Sequence, residues 1–139
     1  LIDGRSAEEF AQGHVRGAIN IGLGGRYAEY VGSVVSPDTD IVLITDPGME
    51  LEGKNRLARI GFDHVIGYLS DAEAVMYTHP DDVQVASRLT AADLTDRIEQ
   101  VSGLQIVDVR NPGETEAGTI AGALTIPLGQ LAARHGELD

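Results

Sequence analysis

The residues best able to do chemistry stand at the ends of short apolar runs. Asp46 follows Ile41-Val42-Leu43-Ile44-Thr45 and opens the stretch Asp46-Pro47-Gly48-Met49-Glu50. A carboxylate in such a place can act as a nucleophile toward phosphate. That chemistry also needs a second carboxylate for Mg²⁺ and a lysine to hold the phosphate. Asp46-Pro47-Gly48 supplies neither at close spacing, so Asp46 reads as a helix cap. Asp3 and Asp108 also end apolar runs, and each has an arginine two residues on, Arg5 and Arg110. By type they are candidate metal ligands, but a recurring Asp-x-Arg unit reads more simply as an internal ion pair or backbone brace. The four histidines, His14, His64, His79 and His135, are isolated from one another, without partners at ligand spacing. Gly22-x-Gly24-Gly25 follows a strand, but no lysine or long helix start accompanies it, so a flexible turn is expected rather than a phosphate loop.

Composition removes several other chemistries. The 139 residues include no cysteine, which excludes disulfides, thiolate zinc sites and thiol nucleophiles together. Acidic residues outnumber basic ones, 22 to 10, for a net charge of −12. Such a surface repels phosphate backbones and anionic lipid, so nucleic acid and membrane are not expected partners. Only 4% of residues are aromatic and none is tryptophan, so aliphatic side chains must build the core. No apolar run reaches the roughly 18 residues of a membrane span, and no signal segment opens the chain. A cytoplasmic location is the default expectation. The first residue is Leu1, within an apolar segment and without a Met, which reads as a fragment or processed product.

The elements that must position these residues are revealed by a long internal repeat. Asp108 lies 105 residues after Asp3, and at that fixed offset eight of 21 ungapped positions are identical. The pairs are Asp3 with Asp108, Arg5 with Arg110, Glu9 with Glu114, Gly13 with Gly118, Gly17 with Gly122, Ala18 with Ala123, Ile21 with Ile126 and Leu23 with Leu128. A period this long means duplication of a domain. Each repeat has a short strand ending at Asp-x-Arg, then a capping box, Ser6 with Glu9 or Asn111 with Glu114, with Pro112 at the first helical position. A helix of about two turns follows, stopped by Gly13 or Gly118, and then a second strand over 18–21 or 123–126. His14 has Thr119 as its counterpart, which points to a small polar brace after the helix.

Further along, Ile41–Thr45 is a β-branched run without alternation, as expected of a parallel strand buried on both faces. A helix is predicted from about Met49 to Ile60, with Leu57, Ala58 and Ile60 facing inward and Gly61 as its stop. His64–Leu69 reads as the next strand, and 70–82 as a closing helix plus linker. Val83–Leu89 suggests a short strand. Thr90 and Asp93 then cap an amphipathic helix carrying Leu94, Ile98 and Val101. Strands alternating with helices imply an α/β layered domain around a parallel sheet. The expected organisation is a first repeat over 1–82, lacking its first strand and helix, and the N-terminal half of a second repeat over 83–139.

Asp3-x-Arg5 through Glu9-Phe10 and Gly13-His14-Val15-x-Gly17-Ala18-Ile19-Asn20-Ile21 resembles the opening motif of rhodanese-like domains. Leu57-x-x-Ile60-Gly61-Phe62-Asp63-x-Val65-x-Gly67-Tyr68-Leu69 resembles the end of the same domain. A narrower likeness lies in Gly24-Gly25-Arg26-Tyr27-Ala28-Glu29-Tyr30-Val31-Gly32. It is similar to the first of two rhodanese repeats that follow a metallo-β-lactamase-fold domain in bacterial persulfide dioxygenase-like hydrolases. In that architecture the zinc or iron chemistry belongs to the N-terminal domain, and this chain has no H-x-H-x-D-H cluster. The resemblance implies no cofactor here and places any metal in a domain upstream of Leu1.

In an active rhodanese domain a cysteine follows the central strand, where loop N–H groups and a helix dipole lower its pKa and cradle the persulfide. The resemblance aligns that cysteine with Asp46. Pro47 removes one donor, and Glu50 and Glu52 add charge where an anion would sit. The expected function is a degenerate, non-catalytic rhodanese-like scaffold or interaction module of a sulfur-metabolism protein, with other domains of the parent, or a homo-oligomer, as partners. The enzymatic alternative is a thiosulfate or persulfide sulfurtransferase whose active cysteine lies in the missing half of the second repeat. A purely regulatory module is the third class.

Overall fold

The computed structural model describes residues 1–138 and divides into two compact units, 1–88 and 89–139. In chain order the first unit contains β1 (Ile2–Asp3), α1 (Ala7–Gln12), β2 (His14–Val15), β3 (Ile19–Asn20) and α2 (Tyr27–Val34). Then come β4 (Ile41–Ile44), α3 (Glu50–Ala58), β5 (Val65–Tyr68), α4 (Ala72–Thr78) and β6 (Val83–Gln84). Four strands make a parallel sheet in the order β3-β1-β4-β5, with Ile2 opposite both Ile19 and Leu43. The α/β class with a central parallel sheet therefore holds.

The β4 run is apolar throughout because both its faces are covered. Ile41, Leu43 and Ile44 are buried and Val42 is half-buried. Ile2, Ile41 and Leu43 pack with Tyr27, Val31, Leu57 and Phe62 to form the core beneath α2 and α3. Burying each large side chain contributes about 1.5–3 kcal/mol. Leu57 faces inward as its spacing requires, but Ala58 and Ile60 do not. The helix ends at Ala58 because the chain turns back at Gly61, whose φ of 86° suits glycine. Phe62, rather than Ile60, then re-enters the core and donates its N–H to the Leu57 carbonyl at 3.1 Å.

The first unit ends at Arg88, beyond Asp82, because of β6. Only Val83 and Gln84 of the expected 83–89 strand are ladder residues, and they pair antiparallel with Val15 and His14. On either side of that bridge, Arg16 N–H donates to the Asp82 carbonyl (2.8 Å) and Ala86 N–H to the Ala11 carbonyl (3.0 Å). The Arg16 guanidinium reaches the Asp81 carbonyl (2.8 Å), and Arg88 pairs with Glu8 (3.3 Å). Residues 81–88 thus form a strap along the α1–β2 edge.

The second unit contains α5 (Ala91–Gln100), β7 (Val107–Asp108), α6 (Pro112–Thr115), β8 (Leu124–Thr125) and α7 (Leu128–Arg134). Thr90 and Asp93 close the capping box of α5. Leu94 on that helix is half-buried, whereas Ile98 and Val101 are exposed. β7 and β8 pair in parallel, Val107 with Leu124 and Asp108 with Thr125.

Candidate functional site

Two polar assemblies and one loop collect the residues that the sequence singles out. At the end of β1, Arg5 forks onto Asp3, its Nη2 2.6 Å from Oδ2 and its Nε 3.0 Å from Oδ1. Nη2 also donates to the Gly13 carbonyl at 3.0 Å, which ties the strand end to the end of α1. The pair is buried, with 8% of the Arg5 side chain and 0% of the Asp3 side chain exposed. Hydrogen bonding to Asp3 raises the Arg5 pKa against its burial. His14, also buried, stacks on Phe10 with ring centroids 3.7 Å apart, and its Nδ1 lies 2.8 Å from the Phe10 carbonyl. These contacts make β1, α1 and β2 one braced corner.

At the end of β7, Arg110 forks onto Asp108 in the same way, at 2.6 and 2.9 Å, and donates to the Gly118 carbonyl at 3.0 Å. Here 45% of the Arg110 side chain and 10% of the Asp108 side chain are exposed. Arg110 and then the Thr119 hydroxyl, 2.8 Å away, hold the Asp108 carboxyl well below the usual carboxylate range. Thr119 therefore braces the aspartate itself, whereas His14 braces the helix end. The surrounding backbone matches too. Ile19, Ile21 and Leu23 donate to the carbonyls of Leu1, Asp3 and Gly4, while Leu124, Ile126 and Leu128 donate to those of Ile106, Asp108 and Val109.

The loop after β4 is exposed from Asp46 to Met49. The Asp46 side chain does not cap the helix: Met49 holds the cap position of α3, and no side-chain cap bond forms. The reason lies in the next residues, which turn the chain so that the Asp46 carbonyl, not its carboxylate, receives the Met49 N–H at 3.1 Å. The Thr45 hydroxyl donates to the same carbonyl at 3.0 Å. Pro47 has no N–H. The Gly48 N–H, at a φ of 87°, donates to the Glu50 carboxylate at 3.1 Å. All three positions after Asp46 are therefore without a free donor, and Glu50 and Glu52 stand in the first turn of the helix.

Behind this loop, α3 carries Arg56, which no sequence motif marked. Its guanidinium donates to the carbonyls of Leu23 and Gly25 and lies over the Tyr27 ring, 5.4 Å from its centroid. The Gly22–Gly25 segment is thus a turn pinned from outside. Tyr27 begins α2, a helix missed from sequence because Gly24 and Gly25 precede it and Gly32 lies within it, although Tyr27 and Val31 carry the i, i+4 spacing of a buried face. The Tyr27 hydroxyl is buried without a hydrogen-bond partner, and burial pushes its pKa up to about 12.

The remaining histidines do not converge. His64 lies 3.4 Å from Asp40 on the surface, His79 bonds to the Val75 carbonyl, and His135 to the Ala132 carbonyl. Among the described residues no group of three or more His, Asp or Glu side chains could hold a metal ion. None of their helices is long and apolar enough to cross a membrane.

A parallel sheet between helices, with an Asp–Arg brace at its first strand and a turn into a helix after its central strand, defines an α/β domain of the rhodanese type. The model of the rhodanese-like domain matches residues 1–72, just over half of the 139, and the chain belongs to that family. The Rhodanese_3-like domain of a protein from Anabaena sp. superposes with a TM-score of 0.56 at 19% identity, over 65% of this chain and 95% of that one. Thiosulfate sulfurtransferase from Pseudomonas aeruginosa superposes with a TM-score of 0.52 at 21% identity. That match covers 99% of this chain but only 30% of the sulfurtransferase. At these identities the likeness is one of fold. No curated protein matches the sequence.

Proposed function

We propose that this chain is a rhodanese-like module that does not transfer sulfur, and that it acts as a scaffold or interaction module within a sulfur-metabolism protein. Asp46 stands in the place of the nucleophilic cysteine. The observation that carries the reading is the disposal of donors after Asp46: Pro47 offers none, Gly48 serves Glu50, and Met49 serves the Asp46 carbonyl. A persulfide or thiosulfate anion would meet a carboxylate where it needs N–H groups.

In the same reading the second unit is the N-terminal half of a second rhodanese-like repeat. The 105-residue offset, the matching Asp–Arg forks and the three matching backbone bonds support it. The partners are other domains of a cytoplasmic parent, with any metal chemistry in an upstream metallo-β-lactamase-fold domain.

Thiosulfate:cyanide sulfurtransferase assays test the assignment. The chain should show no turnover above the uncatalysed rate, and Asp46→Cys should restore little. In that variant the thiol should titrate at or above the ordinary value of about 8.5, because Glu50 stays in the loop. A thiol depressed by two units or more, or robust sulfur transfer from the single change, would refute the reading.

A further inference from the structure

The bond between Asp46 and Pro47 is the one Asp–Pro bond in the sequence, since the other prolines follow Ser36, His79, Asn111 and Ile126. After most aspartates the next residue's N–H can attack the side-chain carboxyl, closing an imide without breaking the chain. Proline has no N–H, so that branch is shut. What remains is attack by the carboxylate oxygen on the carbonyl carbon of its own residue, which closes a small ring. The structure adds two features to this local chemistry. First, the Asp46 carbonyl oxygen accepts two hydrogen bonds, from the Thr45 hydroxyl at 3.0 Å and from the Met49 N–H at 3.1 Å. At such distances donors stabilise the oxyanion that forms when a carbonyl is attacked. The turn that brings Met49 there has Pro47 second and Gly48 third, with a φ of 87° at the glycine. Glu50 holds that turn closed by accepting from the Gly48 N–H. Second, the Asp46 carboxylate is exposed and has no hydrogen-bond or ion-pair partner among the described residues. Nothing holds it away from its own carbonyl carbon.

We propose that this turn is a self-cleavage site, at which the Asp46 carboxylate severs the bond to Pro47. A side-chain oxygen bonds to the Asp46 carbonyl carbon, and the C–N bond to Pro47 breaks. The proline nitrogen takes a proton from solvent, which reaches it because the chain is exposed from Asp46 to Met49. One water molecule then opens the cyclic anhydride on Asp46 into two carboxyl groups. The net change is hydrolysis of one peptide bond. The reaction uses only residues 45–50 and does not depend on the nature of the second unit. The two pieces share one core: Ile2, Tyr27, Val31, Ile41 and Leu43 of the first pack with Leu57 and Phe62 of the second. β4 also keeps its pairing with β5 across the break. The product is a nicked domain that holds its sheet while α3 loses its tether to β4.

The test incubates the full chain in a mildly acidic buffer in which circular dichroism shows it folded. A synthetic peptide of residues 41–52 in the same buffer gives the rate without the fold. Denaturing electrophoresis and mass spectrometry should show fragments 1–46 and 47–139, formed about tenfold faster than the peptide is cut. Asp46→Ala should stop the cleavage. Asp46→Glu, which keeps the charge but must close a larger ring, should slow it about tenfold. Thr45→Val removes one donor to the carbonyl and should slow it severalfold. In oxygen-labelled water the label should appear in both carboxyl groups of Asp46, because water can open either side of the anhydride. Absence of cleavage, a rate no faster than the peptide's, or persistence in Asp46→Ala would overturn the proposal. So would indifference to Thr45→Val, or label in the main-chain carboxyl alone.

Discussion

The Asp–Arg fork appears twice in this protein with nearly the same bond lengths and in opposite surroundings. Asp3 and Arg5 are buried at the end of a strand that has neighbours on both sides, β3 and β4. Asp108 and Arg110 hold the same fork at the end of β7, which pairs only with β8 among the described residues. A fork of this shape is specified locally, by two residues of one strand end and a glycine carbonyl eight residues on. What it contributes depends on the surroundings, because the attraction and the desolvation penalty both grow as water is excluded.

The largest test of that contrast is removal of the aspartates. Asp3→Ala leaves Arg5 buried and unpaired and should lower stability by about 3–5 kcal/mol in urea unfolding. Asp108→Ala leaves Arg110 in water and should change stability far less. Equal effects would mean that exposure does not distinguish the two corners.

Burial also sharpens the cost of an unmatched group. Tyr27→Phe removes a hydroxyl that is buried without a partner, so it should raise the midpoint of unfolding, by up to about 1–3 kcal/mol in stability. A clear loss of stability would show that the hydroxyl has a partner in solution.

The helix caps offer a finer comparison. In Ser6→Ala the N–H of Glu9 loses its acceptor, and the first unit should lose about 1 kcal/mol. In Asn111→Ala the Glu114 N–H keeps its bond to the backbone carbonyl of residue 111, at 2.9 Å, so the change should be smaller, as read by the same unfolding curves.

The smallest expected effect is on acidification. The folded-state pKa of Asp108 lies below its ordinary value of 3.8, so its contribution is complete above that value. It is lost as the pH falls through the lowered one. Hydrogen exchange at residues 107–119 should therefore accelerate below about pH 4. Thr119→Val should leave that onset in place but make the loss smaller and complete at a higher pH, because one of the side-chain donors that depress the carboxyl is gone.

The features legible in sequence were the locally determined ones. The Ile41–Ile44 run announces a strand covered on both faces, and Ser6 with Glu9 or Thr90 with Asp93 announces a helix start within four residues. A short strand at Val83 was legible but its place was not, because pairing Val83 with Val15 depends on a contact 68 positions apart. The same holds for Arg56, whose partners at Leu23 and Gly25 are backbone carbonyls that any sequence would present. At the Asp46 loop, residue types pointed to a poor anion site. The Glu50 bond to Gly48, and the failure of Asp46 to cap α3, emerged only with the backbone path.

The strap also has a mechanical consequence. It runs antiparallel to β2, so tension applied beyond Leu89 loads its attachments one after another instead of together. The exposed Arg88–Glu8 pair yields first, then the Ala86–Ala11 bond, then Gln84 and Val83, and last the bonds from Arg16. Weak bonds loaded in series open at low force, whereas β1 and β4 sit side by side within the sheet. Pulled between residues 1 and 90, the protein should show a low-force yielding step of several residues before the main rupture. The strap behaves as a fuse that gives way before the folded sheet bears the load.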